Sequence, residues 1–125
     1  MKSKQLGIND RPHKKLVTWQ KAVDLVTEIY RITEAFPTKE AFGLTAQLRR
    51  AAISVPSKIA EGLTRKTKKD KVHFLNIAQA SMSEIDIQLE ISIRLGYVSQ
   101  QTFEDGEVKL IEIEKLLSGL ARSIF

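Results

Sequence analysis

A chain of 125 residues, 42% of them hydrophobic, is sized for one domain with a core of its own. With no cysteine it has no disulfide frame, no thiolate nucleophile and no sulfur-ligated zinc cluster, which suits a reducing cytoplasm. The net charge of +5 is unevenly placed: residues 1–71 carry 16 Lys/Arg against 7 Asp/Glu, residues 72–125 carry 4 against 8, and such polarity steers a polyanion, or the acidic part of another copy, to one end.

The first fifteen residues, MKSKQLGINDRPHKK, read as a basic flexible tail, and residues 16–125 as the folded domain. The tail lacks the apolar stretch of a signal peptide, and no later run reaches the ~18 apolar residues of a membrane span. With only 3 Pro and 6 Gly in the whole chain, the composition favours helices.

Four helices and no strand are predicted. In VTWQKAVDLVTEIYRITEAF, Trp19, Val23, Val26 and Tyr30, with Ala22, Leu25, Ile29, Ile32 and Phe36, recur in steps of three and four and leave Gln20, Asp24, Glu28 and Arg31 outside. Pro37 and Thr38 stop this helix, because the residue before a proline is pushed out of the helical region.

A second amphipathic segment runs from about Lys39 to Gly62 with a narrow polar stripe of Glu40, Gly43, Gln47, Arg50, Ser54, Ser57 or Lys58, and Glu61. The periodicity continues through Pro56, so the proline reads as a kink inside one helix. Two shorter helices, with Ser54 as a cap and Pro56 in the first turn, are the alternative.

Thr67 and Asp70 have capping-box spacing, so a third helix starts near Lys68. Its seam is Leu75, Ala78, Met82, Ile85, Leu89 and Ile93 or Ser92, and Leu95–Gly96 close it after roughly 28 residues, about 42 Å. Ser99 caps the last helix, which carries Phe103, Leu110, Ile113, Leu117, Leu120 and Ile124 to the end. Short links between four such helices favour an antiparallel up-down-up-down bundle, all-α, with the second helix kinked at Pro56.

Catalytic chemistry finds no footing. His13 and His73 lack a nucleophile or orienting carboxylate at a recognisable spacing and read as surface residues. No Glu-x-x-His pair supports a di-iron site, and EGLTRKTKKD is not a Walker loop, so neither a metal nor a cofactor is expected. Met82 and the phenylalanines, at helical spacing, read as core.

Arg49 and Arg50 point about 100° apart on a helix and serve different ends. Arg50 continues the polar stripe. Arg49 shares a row with Phe42, Ala46 and Ile53. Reflecting the second helix onto the third about the turn at residues 64–65 puts Arg49 within about one turn of Glu84, which predicts a partly buried Arg49–Glu84 ion pair, or a pair with an acid of a neighbouring subunit. Lys58, Arg65, Lys66, Lys68, Lys69 and Lys71 gather at that turn, and with Arg50 they form a candidate footprint for a phosphate backbone.

The blocks FGLTAQLRRAAISVPSKIAEGLTRKTKKD, FLNIAQASMSEIDIQLEI and LGYVS, preceded by LVTWQKAVDLVTEIYRIT and FPTKEAFGL, resemble the 23S rRNA intervening-sequence protein family over roughly residues 16–122. Against the pattern Q-L-R-R-A-A-x-S-I-P-x-N-I-A-E-G, this chain departs with Lys58 in place of Asn; Ala80 also stands where a Gly often precedes Ser81. The resemblance implies a four-helix bundle, a homopentameric ring, and a link to insertions in bacterial rRNA genes. It extends to the accessory proteins of diversity-generating retroelements, which contact reverse transcriptase and nucleic acid. A non-enzymatic, cytoplasmic scaffold that binds RNA or DNA is the resulting expectation. A scaffold whose charge serves ring assembly or docking onto an enzyme such as a reverse transcriptase is the alternative.

Overall fold

The computed structural model describes His13 and residues 16–124. The expected tail, residues 1–15, otherwise lies outside the described residues, as does Phe125. Four long helices form: α1 (Val17–Glu34), α2 (Leu44–Leu63), α3 (Lys68–Arg94) and α4 (Gln100–Ile124), with one 3-10 turn at Thr38–Glu40 between the first two. Among the described residues there is no strand, and no helix is long and apolar enough to cross a membrane.

Each helix lies antiparallel to the next. Ser54 meets Ser81 and Gly62 meets Phe74, so residue numbers fall on α3 as they rise on α2. The pairs Gln79–Ser118 and Leu89–Gly106 show the same sense between α3 and α4. α1 closes the bundle against α4 through Lys21–Glu112 and Glu28–Lys109. The common core is Ala22, Leu25 and Ile29 from α1, Leu48, Ala52, Val55 and Ile59 from α2, Leu75, Ala78, Met82, Ile85 and Leu89 from α3, and Leu110, Ile113 and Leu117 from α4. Burying one such aliphatic side chain contributes about 1.5–3 kcal/mol before chain entropy is counted.

The helix ends follow local chemistry. Thr67 Oγ1 accepts the Asp70 N–H at 3.1 Å, and Ser99 Oγ accepts the Thr102 N–H at 3.1 Å, so both expected caps form. At the end of α3, Gly96 takes φ +81°. That conformation lets the Tyr97 N–H reach the Ser92 carbonyl at 2.9 Å and the Gly96 N–H reach that of Ile93 at 3.0 Å, a Schellman ending.

α2 runs unbroken through Pro56, which overturns the two-helix alternative. Ser54 caps nothing; its hydroxyl accepts from Ser81 Oγ at 2.9 Å across to α3. The start of α2 differs from expectation, falling at Leu44 and not near Lys39. Residues 38–43 coil into the 3-10 turn and a further turn, after which Glu40 Oε1 reaches the Leu44 N–H at 3.2 Å and satisfies a helix-initiating amide. This turn carries Phe42 off the helical row expected for it and leaves its side chain 100% exposed, so Phe42 is not core. On α1, Thr18 and Thr33 are buried whereas Tyr30 stays 38% exposed. Of the two candidates near the end of α3, Ser92 is the buried one; its hydroxyl donates to the Gln88 carbonyl at 2.7 Å, which removes the cost of burying it.

Candidate nucleic-acid interface

The turn between α2 and α3 is built by its own sequence. Thr64 ends α2 by turning its hydroxyl onto the Glu61 carbonyl at 2.8 Å, Thr67 starts α3, and residues 64–67 span the gap. The helices approach closely here because Gly62 has no side chain: a Cβ at that position would lie 3.1 Å from Phe74 Cβ and 3.3 Å from the Lys71 carbonyl. So tight a turn concentrates whatever charge the sequence places beside it.

The expected basic residues divide into three groups. Lys66, Lys68 and Lys69 are exposed and have no carboxylate or carbonyl partner among the described residues. Arg65, Lys58 and Lys71 are partly committed to the fold. The Arg65 guanidinium lies over the Phe74 ring at 4.4 Å, and Lys58 Nζ pairs with Glu61 Oε1 at 3.2 Å and stands 5.9 Å from the same ring. Lys71 Nζ donates to the Leu63 carbonyl at 3.3 Å, closing one of the free carbonyls at the end of α2. Arg50, the third case, is exposed but sits some fourteen residues before the turn, about 21 Å along a helix, and does not join the cluster.

The structure adds two residues that were not anticipated. Lys68, Lys69, Val72, His73 and Asn76 line a shallow concavity on the outer face of α3. His73 and Asn76 lie four and seven positions after Lys69, and this helical spacing is the signal that could have found them. The single nearby acid in the first turn of α3 is Asp70, whose position complements the helix N-terminus.

Arg49 does not pair with Glu84. Its Nε donates to Thr33 Oγ1 at 2.9 Å, its Nη2 to the Tyr30 carbonyl at 3.4 Å, and its guanidinium lies over the Tyr30 ring at 4.3 Å. The reason is rotational: Arg49 leaves α2 on the flank facing α1, and the α3 flank is held by Ser54 and Ser81. Thr33 can accept from Arg49 because its own proton goes to the Ile29 carbonyl at 2.7 Å.

No nucleophile, base and orienting group converge among the described residues, and no three metal-ligating side chains gather there. His73 stacks edge-on against Phe74 at 5.5 Å and His13 against Trp19 at 4.8 Å. His13 and Trp19 share a groove with Pro56, Ser57 and Ala60 of α2, so the start of α1 stands at the same end of the bundle as the basic turn.

The family model described as 23S rRNA-intervening sequence protein matches residues 14–119. Among solved structures, a protein with unknown function from the S23 ribosomal protein family of Bacteroides thetaiotaomicron is similar, with a TM-score of 0.78 and 24% identity over 84% of this chain and 98% of that one. At that identity the likeness speaks for the fold. No curated protein matches the chain.

Proposed function

The chain belongs to the 23S rRNA-intervening sequence protein family, and we propose that it is a non-enzymatic, oligomeric scaffold that holds the phosphate backbone of RNA or DNA against the α2–α3 turn. The observation that carries this reading is the trio Lys66, Lys68 and Lys69, exposed at one end of the bundle with no intramolecular partner among the described residues. Two helices can be joined by Gly and Thr alone, so this self-repelling cluster contributes nothing to the turn. It gains energy when phosphates replace condensed counterions. Arg65 adds a fourth charge, and by covering Phe74 it removes the ring as a platform for base stacking. The expected binding is therefore weakly sequence-selective and strongly salt-dependent.

Self-association is part of the proposal. Ile87, Ile91 and Leu95 stand exposed at four-residue intervals along α3, with Val108 and Ile111 exposed on α4, and apolar rows of this kind are commonly covered by a partner. A homopentameric ring, as the family resemblance implies, would repeat the basic turn around one rim.

The test is a quadruple substitution, Arg65→Gln, Lys66→Gln, Lys68→Gln and Lys69→Gln, assayed for RNA and duplex DNA binding across a salt series, with sedimentation to verify the assembly. Affinity should fall, and the salt slope should drop by roughly one per charge in contact with phosphate. An intact assembly with unchanged affinity and slope refutes the turn as the site. The second reading, a scaffold that docks on an enzyme such as a reverse transcriptase, is favoured by the fully exposed Phe42 at the opposite end. It becomes the better account in that event.

A further inference from the structure

The outer face of α3 continues past the lysines in a row of different chemistry. In steps of three and four from Lys69, the residues Val72, His73 and Asn76 share the side of the helix that points away from the core residues Leu75, Ala78 and Met82. Lys69, His73 and Asn76 are exposed and Val72 is half-buried; with Lys68 they line one shallow concavity. Among the described residues no side-chain hydrogen bond or ion pair engages Lys68, Lys69, His73 or Asn76, and His73 makes only its edge-on contact with Phe74 at 5.5 Å. The fold therefore leaves every polar group of this concavity free for a ligand.

The order of the groups matches that of a nucleotide. Lys68 and Lys69 at the turn end supply positive charge for a phosphate. Val72, one helical turn further on, offers an apolar wall, and the His73 imidazole beside it offers a flat ring. Asn76 closes the row with a carboxamide, which both donates and accepts and so can meet the edge of a base. From Lys69 to Asn76 the helix rises about 10.5 Å, comparable with the reach from a backbone phosphate to the far edge of its own base. Asp70, the one acid nearby, stands about 100° round the helix from Lys69 and is not among the lining residues.

We propose that this concavity receives one unpaired nucleotide of a single strand: the phosphate on Lys68 and Lys69, the sugar and base against Val72 and His73, and the base edge on the Asn76 amide. The proposal rests on the reading of the basic turn as a phosphate-binding surface and names the form of nucleic acid that surface takes. A single strand can turn a base out onto the protein, whereas the bases of a duplex are paired and stacked within it. The lysines serve both forms because they meet only the backbone; His73 and Asn76 serve the single strand alone. Phe74, covered by Arg65, stays outside the site. One amide discriminates little among four bases, so the preference is for strandedness over sequence.

The experiment titrates the full chain into a fluorescently labelled RNA of mixed sequence, either alone or annealed to its complement, and reads anisotropy across a salt series. The unaltered protein should bind the single strand more tightly than the duplex. In the double variant His73→Ala, Asn76→Ala, single-strand affinity should fall on the order of tenfold while duplex affinity and the salt slope stay as they were. Lys68→Gln with Lys69→Gln should weaken both forms and flatten both slopes. If the unaltered protein binds but the double variant loses nothing, or loses equally for both forms, the nucleotide site is refuted and the basic turn stands. If the unaltered protein binds neither form, the basic turn fails and the nucleotide site fails with it. Should the double variant not fold, the side-chain amide resonance of Asn76 in the unaltered chain decides: a shift with the single strand and not with the duplex supports the proposal, and no shift, or the same shift with both, overturns it.

Discussion

Arg65 and Phe74 face one another across the α2–α3 turn, guanidinium over ring at 4.4 Å, so the basic turn is anchored by an aromatic residue that it also hides. Replacing Phe74 with Leu keeps much of the half-buried apolar volume but removes the ring face. Stability should fall by about 0.5–1 kcal/mol in urea unfolding. The salt slope of nucleic-acid binding should stay as it was, since no charge is lost. A changed slope would mean that Phe74 meets the nucleic acid directly.

Gly62→Ala tests how tightly the turn is packed. The added methyl meets Phe74 Cβ and the Lys71 carbonyl, both fixed to α3, so the helices must part. Overpacking of about 1–3 kcal/mol should exceed the gain of up to about 1 kcal/mol from removing a helical glycine. Chemical denaturation should therefore show a net loss; an unchanged or raised midpoint would show that the turn yields freely.

Arg49→Lys should destabilise the bundle by about 1–2 kcal/mol, because lysine reproduces neither the Nε bond to Thr33 nor the planar stack on Tyr30. Glu84→Gln, at an exposed site with no such partner, should stay within about 0.5 kcal/mol. Paired thermal melts distinguish the two, and comparable losses would restore an Arg49–Glu84 link.

Tyr97→Phe probes the far end of the bundle. The Tyr97 hydroxyl donates to Glu40 Oε2 at 3.0 Å while Glu40 Oε1 caps Leu44, so one carboxylate ties the end of α3 to the start of α2. The substitution should lower stability at neutral pH, with the ring packing on Phe36 retained. The Glu40 bond, then burial, raise the Tyr97 phenol above its ordinary value of 10.0. Its contribution to stability is thus present below pH 10 and is lost as pH rises through the raised value. In Tyr97→Phe that alkaline loss should disappear from the pH profile of the melting temperature.

The sequence by itself determined the features whose causes are local. Helix number follows from apolar residues at steps of three and four. The caps at Thr67 and Ser99 and the stop at Gly96 each depend on side chains and backbone within a few positions. The basic turn was legible for the same reason: Arg65, Lys66, Lys68 and Lys69 are neighbours in the chain, so their proximity needs no tertiary knowledge.

Only the tertiary structure decided which helix covers which face. Apolar periodicity records that a stripe is buried, not what buries it. Arg49 was therefore placed against α3 by reflection, although its rotation about α2 turns it to α1. Phe42 was counted with the core because the local turn set by Glu40 and Gly43 is invisible to a helical template. The Gln79–Ser118 bond could not be found from spacing either, since the two residues belong to different helices and meet only when Leu89 seats against Gly106 and α4 packs on α3.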